Sequence, residues 1–313
     1  MSDWEDPAFL AEARGWIERA LVDLGLRLVG EIEQPHVRPW STVLRVPTAG
    51  GDVWFKAAVP SLSHDVGVTS TLARLRPDLV LAPLAVDLER RWMLLPNGGE
   101  RLREVLARER HPRRWLELAP LYAQLQIAAT SAVDDLLDAG TPDYRLTRLP
   151  ELSERLGSAF GLPGPSPARL AELCDELAAL GISETIQHDD LHEGNVFVRD
   201  GGGYAIFDWG DSCIAHPFMS LVVGLNGIAY TFGLAEHDLD LERVRDAYLE
   251  EWGGHASRRE LLRGVELAGC FGKLSRALAW WRWAEDVGIA GRTEPSDSAT
   301  SWYEEFAAAA AAG

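Results

Sequence analysis

The residues best suited to chemistry lie in one short stretch of the chain. Residues 188–195 read H-D-D-L-H-E-G-N, and residues 207–209 read F-D-W. A carboxylate in a loop can accept the proton of a substrate hydroxyl, and carboxylate and amide oxygens are ligands that Mg²⁺ prefers. Asp190 is therefore a candidate base, and Asn195 and Asp208 are candidate metal ligands. Their spacing suits transfer of the terminal phosphoryl group of a nucleotide.

Two other interpretations of this stretch are a solvated surface loop and a metal-hydrolase centre. Each polar residue taken alone is typical of solvated surface, but the apolar strand that leads directly into Asp208 favours a site. A metal-hydrolase centre could use His188, Asp189, Asp190 and His192, since imidazole and carboxylate are suitable metal ligands. It would need further histidines, and the remaining ones form no second cluster in the sequence, which disfavours it.

Lys56 lies within an aromatic and apolar run, W-F-K-A-A, that predicts a buried strand. Burying an ammonium group requires an anionic partner, either a carboxylate or the phosphates of a nucleotide; a lysine at a strand edge that extends to solvent is the alternative. Ser41 lies between two predicted strands, where a phosphate-covering loop would sit. That loop has no G-x-G-x-x-G pattern, so its amides and the Ser41 hydroxyl would make the contacts. The sequence has no Walker pattern, which excludes the P-loop kinases.

The elements around these residues change character near residue 97. Before it the sequence predicts a helix over 7–24, an antiparallel meander, a helix over 63–75 and two further strands. The predicted strands are 31–37, 41–46, 52–59, 81–87 and 91–95. We therefore predict an N-terminal lobe over residues 1–97 and a mainly helical lobe over residues 98–313.

Helix signals dominate the second lobe. The stretch 157–167 is rich in Gly, Pro and Ser and predicts a loop, while a small hairpin is expected at 196–198 and 204–207. Six alanines precede the last residue, and we expect them to fray. The predicted helices are one beginning at Pro112, then 167–180, 216–233, 238–252, 257–286 and a last one from Ser298.

Composition restricts the partners and the compartment. The net charge of −18 argues against binding to nucleic acid or to an anionic membrane. It would attract a cationic small molecule, although it could equally serve solubility alone. The chain has no apolar run of membrane-spanning length and no secretory signal. Its three widely spaced cysteines fit a reducing cytoplasm better than a disulfide framework.

The chemical stretch resembles the aminoglycoside phosphotransferase family of the protein-kinase-like superfamily, whose members read H-G-D-L-H-P-G-N followed by I-D-W. The resemblance implies an α+β, bilobal protein-kinase-like fold, with a small antiparallel-sheet lobe and a larger helical one. It also implies ATP, sometimes GTP, together with Mg²⁺ in the cleft. Asp190 would be catalytic, Asn195 and Asp208 would hold the metal, and Lys56 would contact phosphates. Leu94, Leu95 and Pro96 would form the hinge near the adenine.

This chain departs from the family pattern at three positions. Asp189 replaces a glycine and Glu193 replaces a proline, so both add negative charge beside the centre. The helix after Lys56 normally supplies a glutamate partner for the lysine. Here the only carboxylate between Ser63 and Leu75 is Asp65, which is one methylene shorter. The sequence leaves two alternatives: Asp65 pairs with Lys56, or Lys56 is held by other groups.

The sequence also indicates an acceptor site near the late helices. Aromatic planes combined with carboxylates suit sugars and amines, although the tryptophans could equally pack the helical lobe. We expect a cytoplasmic kinase for a hydroxylated small molecule that can carry a positive charge, such as an aminoglycoside or a related amino-sugar or amino-alcohol. A catalytically silent module that binds a nucleotide or a protein is the alternative. The candidate acceptor residues are Asp211, His216, Trp281 and Glu285.

Overall fold

The N-terminal lobe is an antiparallel sheet flanked by helices. The computed structural model describes residues 4–287 and 294–312. Helix α1 (Pro7–Asp23) begins after Asp6, whose side chain accepts a hydrogen bond from the Ala8 N–H. Helix α2 (Asp65–Leu75) follows the third strand. The strands, in the sheet order β1-β2-β3-β5-β4, are β1 (Glu33–Arg38), β2 (Ser41–Thr48), β3 (Gly51–Ala58), β5 (Trp92–Pro96) and β4 (Ala85–Asp87).

The fourth predicted strand is shorter than the sequence indicated. It begins at Ala85, whereas a start near residue 81 was expected. The preceding residues pair outside this sheet, because Ile206 N–H donates to the Leu79 carbonyl and Leu81 N–H donates to the Ile206 carbonyl. This segment is therefore apolar because it packs against the other lobe.

Residues 97–99 follow strand β5, and the glycines among them permit close packing. A Cβ on Gly98 would lie 2.1 Å from the Phe197 ring, and Gly99 has a φ of 103°. Only glycine satisfies both conditions without displacing its neighbours. The chain continues into β6 (Glu100–Arg101), which pairs with β8 (Val196–Val198).

Helices form most of the second lobe. Helices α10 and α11 pack along each other, and α10 also contacts α8 and the first lobe. The helices are α3 (Leu102–Glu109), α4 (Arg113–Ala129), α5 (Val133–Asp138), α6 (Leu149–Phe160), α7 (Pro167–Ala178), α8 (Leu221–Phe232), α9 (Leu239–Glu250), α10 (Arg258–Val287) and α11 (Glu294–Ala312). No helix among the residues described above is both long enough and apolar enough to cross a membrane.

Two local predictions for this lobe were wrong. The stretch predicted as a loop from residue 157 belongs to α6 as far as Phe160, because Gly157 lets the helix approach α11. A Cβ at Gly157 would lie 2.5 Å from the Tyr303 hydroxyl. The terminal alanines do not fray: α11 runs through them, Ala310 is fully buried, and its carbonyl accepts from Arg169 Nε at 3.2 Å.

Two small antiparallel pairs carry the chemical stretch. Strand β7 (Thr185–Gln187) leads into it and pairs with β10 (Cys213–Ala215), which follows it. Between them, β8 pairs with β9 (Tyr204–Ile206), as the sequence predicted. Strands β7, β9 and β10 are fully buried and β8 is partly buried, so the loops at their ends have a rigid base.

Candidate active site

The hairpin of β8 and β9 brings the two predicted metal ligands together. Val196 pairs with Ile206, and Phe207 N–H donates to the Asn195 carbonyl at 3.1 Å. Asn195 and Asp208 thus lie at the same end of the hairpin, and both line one cleft. A separation of thirteen positions in sequence becomes a short distance in space because the turn at residues 199–203 reverses the chain.

Asn195 also holds Asp190 in place. Its Nδ2 donates to the Asp190 carbonyl at 3.0 Å and to Asp190 Oδ2 at 3.1 Å. Because the side-chain nitrogen of Asn195 is used in this way, its side-chain oxygen Oδ1 is available to bind a cation. One residue therefore links the candidate base to the candidate metal site.

Lys56 is shared by two carboxylates. Its Nζ lies 2.5 Å from Asp65 Oδ2 and 2.5 Å from Asp208 Oδ1. The pairing left open by the sequence is thus formed, from the first residue of α2. Asp65 Oδ1 accepts from Thr69 Oγ1 and from the Trp209 N–H, both at 3.0 Å. The lysine is therefore fixed to both lobes.

Burial and pairing act in opposite directions on these charges. Burial alone would lower the pKa of Lys56, but Asp208 and Asp65 outweigh it and raise that pKa. Burial alone would raise the pKa of Asp208, and Lys56 outweighs it and keeps that pKa below its usual range. Lys56 and Asp208 are therefore both charged at neutral pH.

Asp190 is also kept ionised by its neighbours. Burial alone would raise its pKa, yet the pKa is lowered by His192, whose Nε2 lies 3.4 Å from Asp190 Oδ2, and by Arg276. The side chain is 28% exposed, so it remains open to a substrate. A carboxylate of this kind accepts a hydrogen bond from a hydroxyl and orients it for attack.

Two of the three departures from the family pattern, Asp189 and Glu193, are compensated by hydrogen bonds within the structure. Asp189 has a φ of 60°, a left-handed conformation that Asp tolerates better than most residues. Its carboxylate accepts from Ser275 Oγ at 2.9 Å and from Gln187 Nε2 at 3.2 Å. Glu193 accepts from Arg103 Nε at 3.0 Å. Both added carboxyl groups are thus hydrogen-bonded within the structure.

The cleft between the lobes has a volume of about 640 Å³ and combines apolar and charged groups. The Phe197 and Phe207 rings stack at 4.2 Å, and the Arg101 guanidinium lies 5.8 Å from the centre of the Phe207 ring. Lys56 and Asp208 line the same cleft. This lining can contact both a flat ring system and anionic groups of a ligand. The predicted residues that line it are Ser41, Lys56, Leu95, Pro96, Asn195 and Asp208.

Leu94 does not reach the cleft. Its side chain is fully buried in the core of the first lobe, because neighbouring strand residues point to opposite faces of the sheet. Leu95 and Pro96 line the cleft from the same strand. The hinge prediction therefore needs a correction at this one position.

The predicted acceptor residues are placed less favourably. His216 is fully buried and accepts from the Phe218 N–H, so it caps a short turn of 3₁₀ helix. Trp281 is 9% exposed and packs in the helical core under Arg155. Asp211 is buried beside Arg276, and Glu285 is exposed on α10. The prediction that His216 and Trp281 line an acceptor pocket is corrected, because both side chains pack inside the lobe.

The metal-hydrolase alternative is not supported by the histidine it depends on. His188 is fully buried, with Nε2 3.0 Å from the Phe207 carbonyl and its ring 4.6 Å from that of Trp209. This histidine ties the loop to the strand before Asp208. Within residues 4–287 and 294–312, no three His, Cys, Asp or Glu side chains are grouped to hold a metal ion.

Arg276 on α10 lies beside the site but was not among the residues predicted from the sequence. Arg276 Nη2 lies 3.6 Å from Asp190 Oδ1, and its Nη1 lies 3.6 Å from Asp211 Oδ2. Arg276 follows Asp189 by 87 residues, inside a helix with no local motif. Nothing in the sequence near Arg276 indicates this contact; only the fold brings it to the loop.

The end of α10 also reaches the first lobe. Trp283 stacks on Trp40 of the β1–β2 turn, with ring centroids 4.7 Å apart. Asp286 Oδ2 accepts from the Ser61 N–H at 2.8 Å, and Arg282 Nη1 donates to the Ser61 carbonyl at 3.2 Å. The β1–β2 turn, which is flanked by the cleft residues His36 and Ser41, is therefore held by the end of α10.

Comparisons with known proteins agree with this architecture. The sequence profile of the phosphotransferase enzyme family, APH, matches residues 36–261. No curated protein matches the sequence significantly. Solved structures with a similar fold include a Plasmodium vivax ethanolamine kinase, with a TM-score of 0.65 and 10% identity over 96% of this chain and 89% of that one.

Two further kinases also appear among the similar structures. The choline kinase LicA from Streptococcus pneumoniae has a TM-score of 0.60 and 14% identity, over 96% of this chain and 99% of that one. A GDP complex of aminoglycoside 2'-phosphotransferase-IIIa has a TM-score of 0.60 and 15% identity, over 95% of this chain and 98% of that one. The predicted bilobal protein-kinase-like fold is confirmed. With more than half of its length matched by the profile, the chain belongs to the phosphotransferase enzyme family, whose members phosphorylate hydroxyl groups of small molecules.

Proposed function

We propose that this protein transfers the γ-phosphoryl group of ATP, with GTP as an alternative donor, to a hydroxyl of an aminoglycoside or a related amino-sugar or amino-alcohol. The observation that carries the proposal is the convergence of Lys56, Asn195 and Asp208 on one cleft, with Asp190 bonded to Asn195. Phosphoryl transfer depends mainly on positioning and on stabilising charge. These four residues provide groups for both tasks.

The cleft supports a nucleotide as donor. The stacked Phe197 and Phe207 rings offer a flat apolar surface for a nucleobase, beside Leu95 and Pro96. Lys56, in the same cleft, offers a positive charge to the phosphates. The lining therefore has groups suited to both the base and the phosphates of a nucleotide.

The donor atoms in the cleft fit Mg²⁺. Asn195 and Asp208 present oxygen ligands, which Mg²⁺ prefers, and Asp208 is 46% exposed and so accessible to a hydrated cation. The amide nitrogen of Asn195 is occupied by Asp190, which directs the Asn195 oxygen toward the cleft. When bound, the metal would neutralise the charge of the phosphates.

The chemical step itself needs little from the chain. Asp190 accepts a hydrogen bond from the acceptor hydroxyl, orients its oxygen toward the γ-phosphorus and takes up its proton as the new P–O bond forms. Lys56 stays charged and stabilises the phosphates of the leaving nucleotide. In the proposed reaction the products are a phosphate ester and ADP.

An amine-bearing acceptor is supported by charge and by the similar structures. The net charge of −18 would attract a cation from solution. Three proteins of similar fold are named for ethanolamine, choline and an aminoglycoside, each of which combines hydroxyl and cationic nitrogen groups. We place the activity in the cytoplasm, which suits the three free, buried cysteines Cys174, Cys213 and Cys270.

An acceptor panel tests the proposal. ADP release should be measured with ATP and Mg²⁺ for amino-alcohols, aminoglycosides and choline, each paired with a neutral polyol of similar size. We expect turnover with at least one amine-bearing acceptor, weaker turnover with its neutral counterpart, and loss of activity on chelation of the metal. Turnover only with neutral or anionic acceptors would contradict the acceptor class.

One of the two arguments for a catalytically silent module no longer holds. It drew on the doubtful lysine partner and on the missing glycine-rich loop, and Lys56 does have its partner in Asp65. Tight nucleotide binding with no transfer to any member of a broad panel would still favour that alternative over the proposed reaction.

A further inference from the structure

Helix α10 contacts the catalytic loop, residues 188–195, through two consecutive residues. Ser275 Oγ donates to Asp189 Oδ2 at 2.9 Å, and Arg276 Nη1 donates to the Asp189 carbonyl at 2.8 Å. The residue before Asp190 is therefore bonded to α10 through both its side chain and its backbone. Its left-handed φ of 60° gives the loop a sharp turn at this point. These bonds hold that turn in place.

Arg276 is the only one of these α10 residues that also approaches Asp190 itself. Its guanidinium is 7% exposed and lies 3.6 Å from Asp190 Oδ1 and 3.6 Å from Asp211 Oδ2. Trp280 covers it, with the ring centroid 5.9 Å from Arg276 Cζ. A guanidinium cannot lose its proton in a protein, so a permanent positive charge lies behind the base.

The two oxygens of Asp190 are thus held from opposite sides. Asn195 and His192 approach Oδ2, at 3.1 Å and 3.4 Å, whereas Arg276 approaches Oδ1. A carboxylate held in this way has little freedom to rotate. Because phosphoryl transfer is sensitive to small errors in the position of the attacking oxygen, the orientation of Asp190 matters for the rate.

We propose that Arg276 is a positioning residue, which fixes the orientation of Asp190 from α10 without touching the substrate. The inference rests on the proposed function, since it assigns Asp190 to the acceptor hydroxyl. Asp211 is the second carboxylate beside the guanidinium, with its Oδ2 3.6 Å from Arg276 Nη1. The fork of the guanidinium is required, because one group must reach a carbonyl and two carboxylates at once.

The test compares Arg276→Met with Ser275→Ala and Arg155→Met. Ser275→Ala removes one bond from α10 to Asp189 but keeps the charge. Arg155→Met removes an arginine that also lies over a tryptophan, Trp281, away from the loop. For Arg276→Met we expect kcat to fall about a hundredfold while the nucleotide Kd changes little. For Arg155→Met we expect wild-type kcat.

Two further measurements separate positioning from a general loss of structure. Guanidinium ions at non-denaturing concentration should restore part of the kcat of Arg276→Met and have no such effect on Ser275→Ala. If Arg276→Met does not fold, Arg276→Lys keeps the charge but not the fork, and it should still lower kcat severalfold at unchanged nucleotide Kd. A folded Arg276→Met or Arg276→Lys with wild-type kcat overturns the inference.

The outcomes also separate this inference from the proposed function. A wild-type protein that phosphorylates no acceptor contradicts the proposed function. In that case the same variants are compared by the slow transfer of the phosphoryl group to water, which uses the same carboxylate. Equal rates of hydrolysis in wild type and in Arg276→Met would overturn the role of Arg276 by itself.

Discussion

The two sides of the catalytic loop use charge differently. On the side of the cleft, Lys56, Asn195 and Asp208 line the cavity and can touch a ligand directly. On the side of α10, Asp189 and Arg276 are almost fully buried and can act only through Asp190. One side therefore provides chemical groups, and the other provides the rigidity that those groups need. The difference explains why a motif identifies the first side and not the second.

The strongest test of this comparison changes Asp190, which contacts Asn195 on the cleft side and Arg276 on the α10 side. We expect Asp190→Asn to lower kcat about a thousandfold, because the amide no longer accepts the proton of the hydroxyl. The nucleotide Kd, measured by calorimetry, should stay close to that of the wild type. Retention of most of the wild-type kcat would show that another group orients the acceptor.

On the cleft side, Asp208→Ala should remove most of the effect of Mg²⁺ on nucleotide binding. We expect the metal-dependent gain in affinity to fall by about 10–100-fold, because one of the two oxygen ligands is lost. Calorimetry with and without Mg²⁺ measures this gain. Asp200→Ala, at the exposed turn of the same hairpin, is the matched control and should keep it. Equal gains in both variants would exclude Asp208 as a ligand.

Removing the shared cation tests how strongly the lobes depend on it. Lys56→Met leaves Asp65, which is 2% exposed, without its partner. We expect a loss of about 3 kcal/mol in the free energy of unfolding, because an unpaired buried charge is costly. Chemical denaturation measures it. Adding Asp65→Asn to the same chain should recover part of the loss, and no recovery would mean that the two residues do not interact.

The buried side predicts a pH effect. Burial raises the pKa of Asp189 to about 7, against the opposing influence of Arg276 and Ser275; Asp211 raises it and Arg282 lowers it further. The native state then holds this proton more tightly than the unfolded chain. Its contribution to stability is complete below pH about 4 and is lost as the pH rises through about 7.

Asp189→Asn should therefore flatten the decline of stability between these pH values. The difference in slope can reach about 1.4 kcal/mol per pH unit, which corresponds to one proton. Asparagine tolerates the left-handed backbone, so the fold is preserved. Denaturant midpoints at several pH values measure the slope. Parallel curves for the variant and the wild type would show that Asp189 is already ionised in the native state.

The smallest effect concerns the contact between the two lobes through α10. Trp40→Ala removes the stack on Trp283, which is worth about 1 kcal/mol for an aromatic pair. We expect the KM for the nucleotide to rise a few-fold with kcat nearly unchanged. The reason is that His36 and Ser41, on either side of the β1–β2 turn, line the cleft. Leu88→Ala, at a residue that is 67% exposed, is the control. A lower kcat at unchanged KM would assign the stack to another step.

Local patterns predicted most of the fold and the cleft side of the site. Asp190, Asn195 and Asp208 were found because a single hairpin brings them together, and Lys56 because a charge inside an apolar strand needs an explanation. Gly157 was misread because its reason lies in Tyr303, on a distant helix. Arg276 was missed for the same kind of reason. What the sequence does not predict is contact between elements that are far apart along the chain.

The path of α10 has one further consequence. The family profile ends at residue 261, within the first turn of this helix, yet the helix runs from there past the catalytic loop to Trp283. It forms a contact between the lobes in addition to the chain connection at residues 97–99, the Lys56–Asp208 ion pair and the pairing of Leu79 and Leu81 with Ile206. Separating the lobes to release ADP must then disturb either the Trp40 stack or the contact with Asp190. We expect product departure and realignment of the base to occur together, and a burst of product in the first turnover would reveal that coupling.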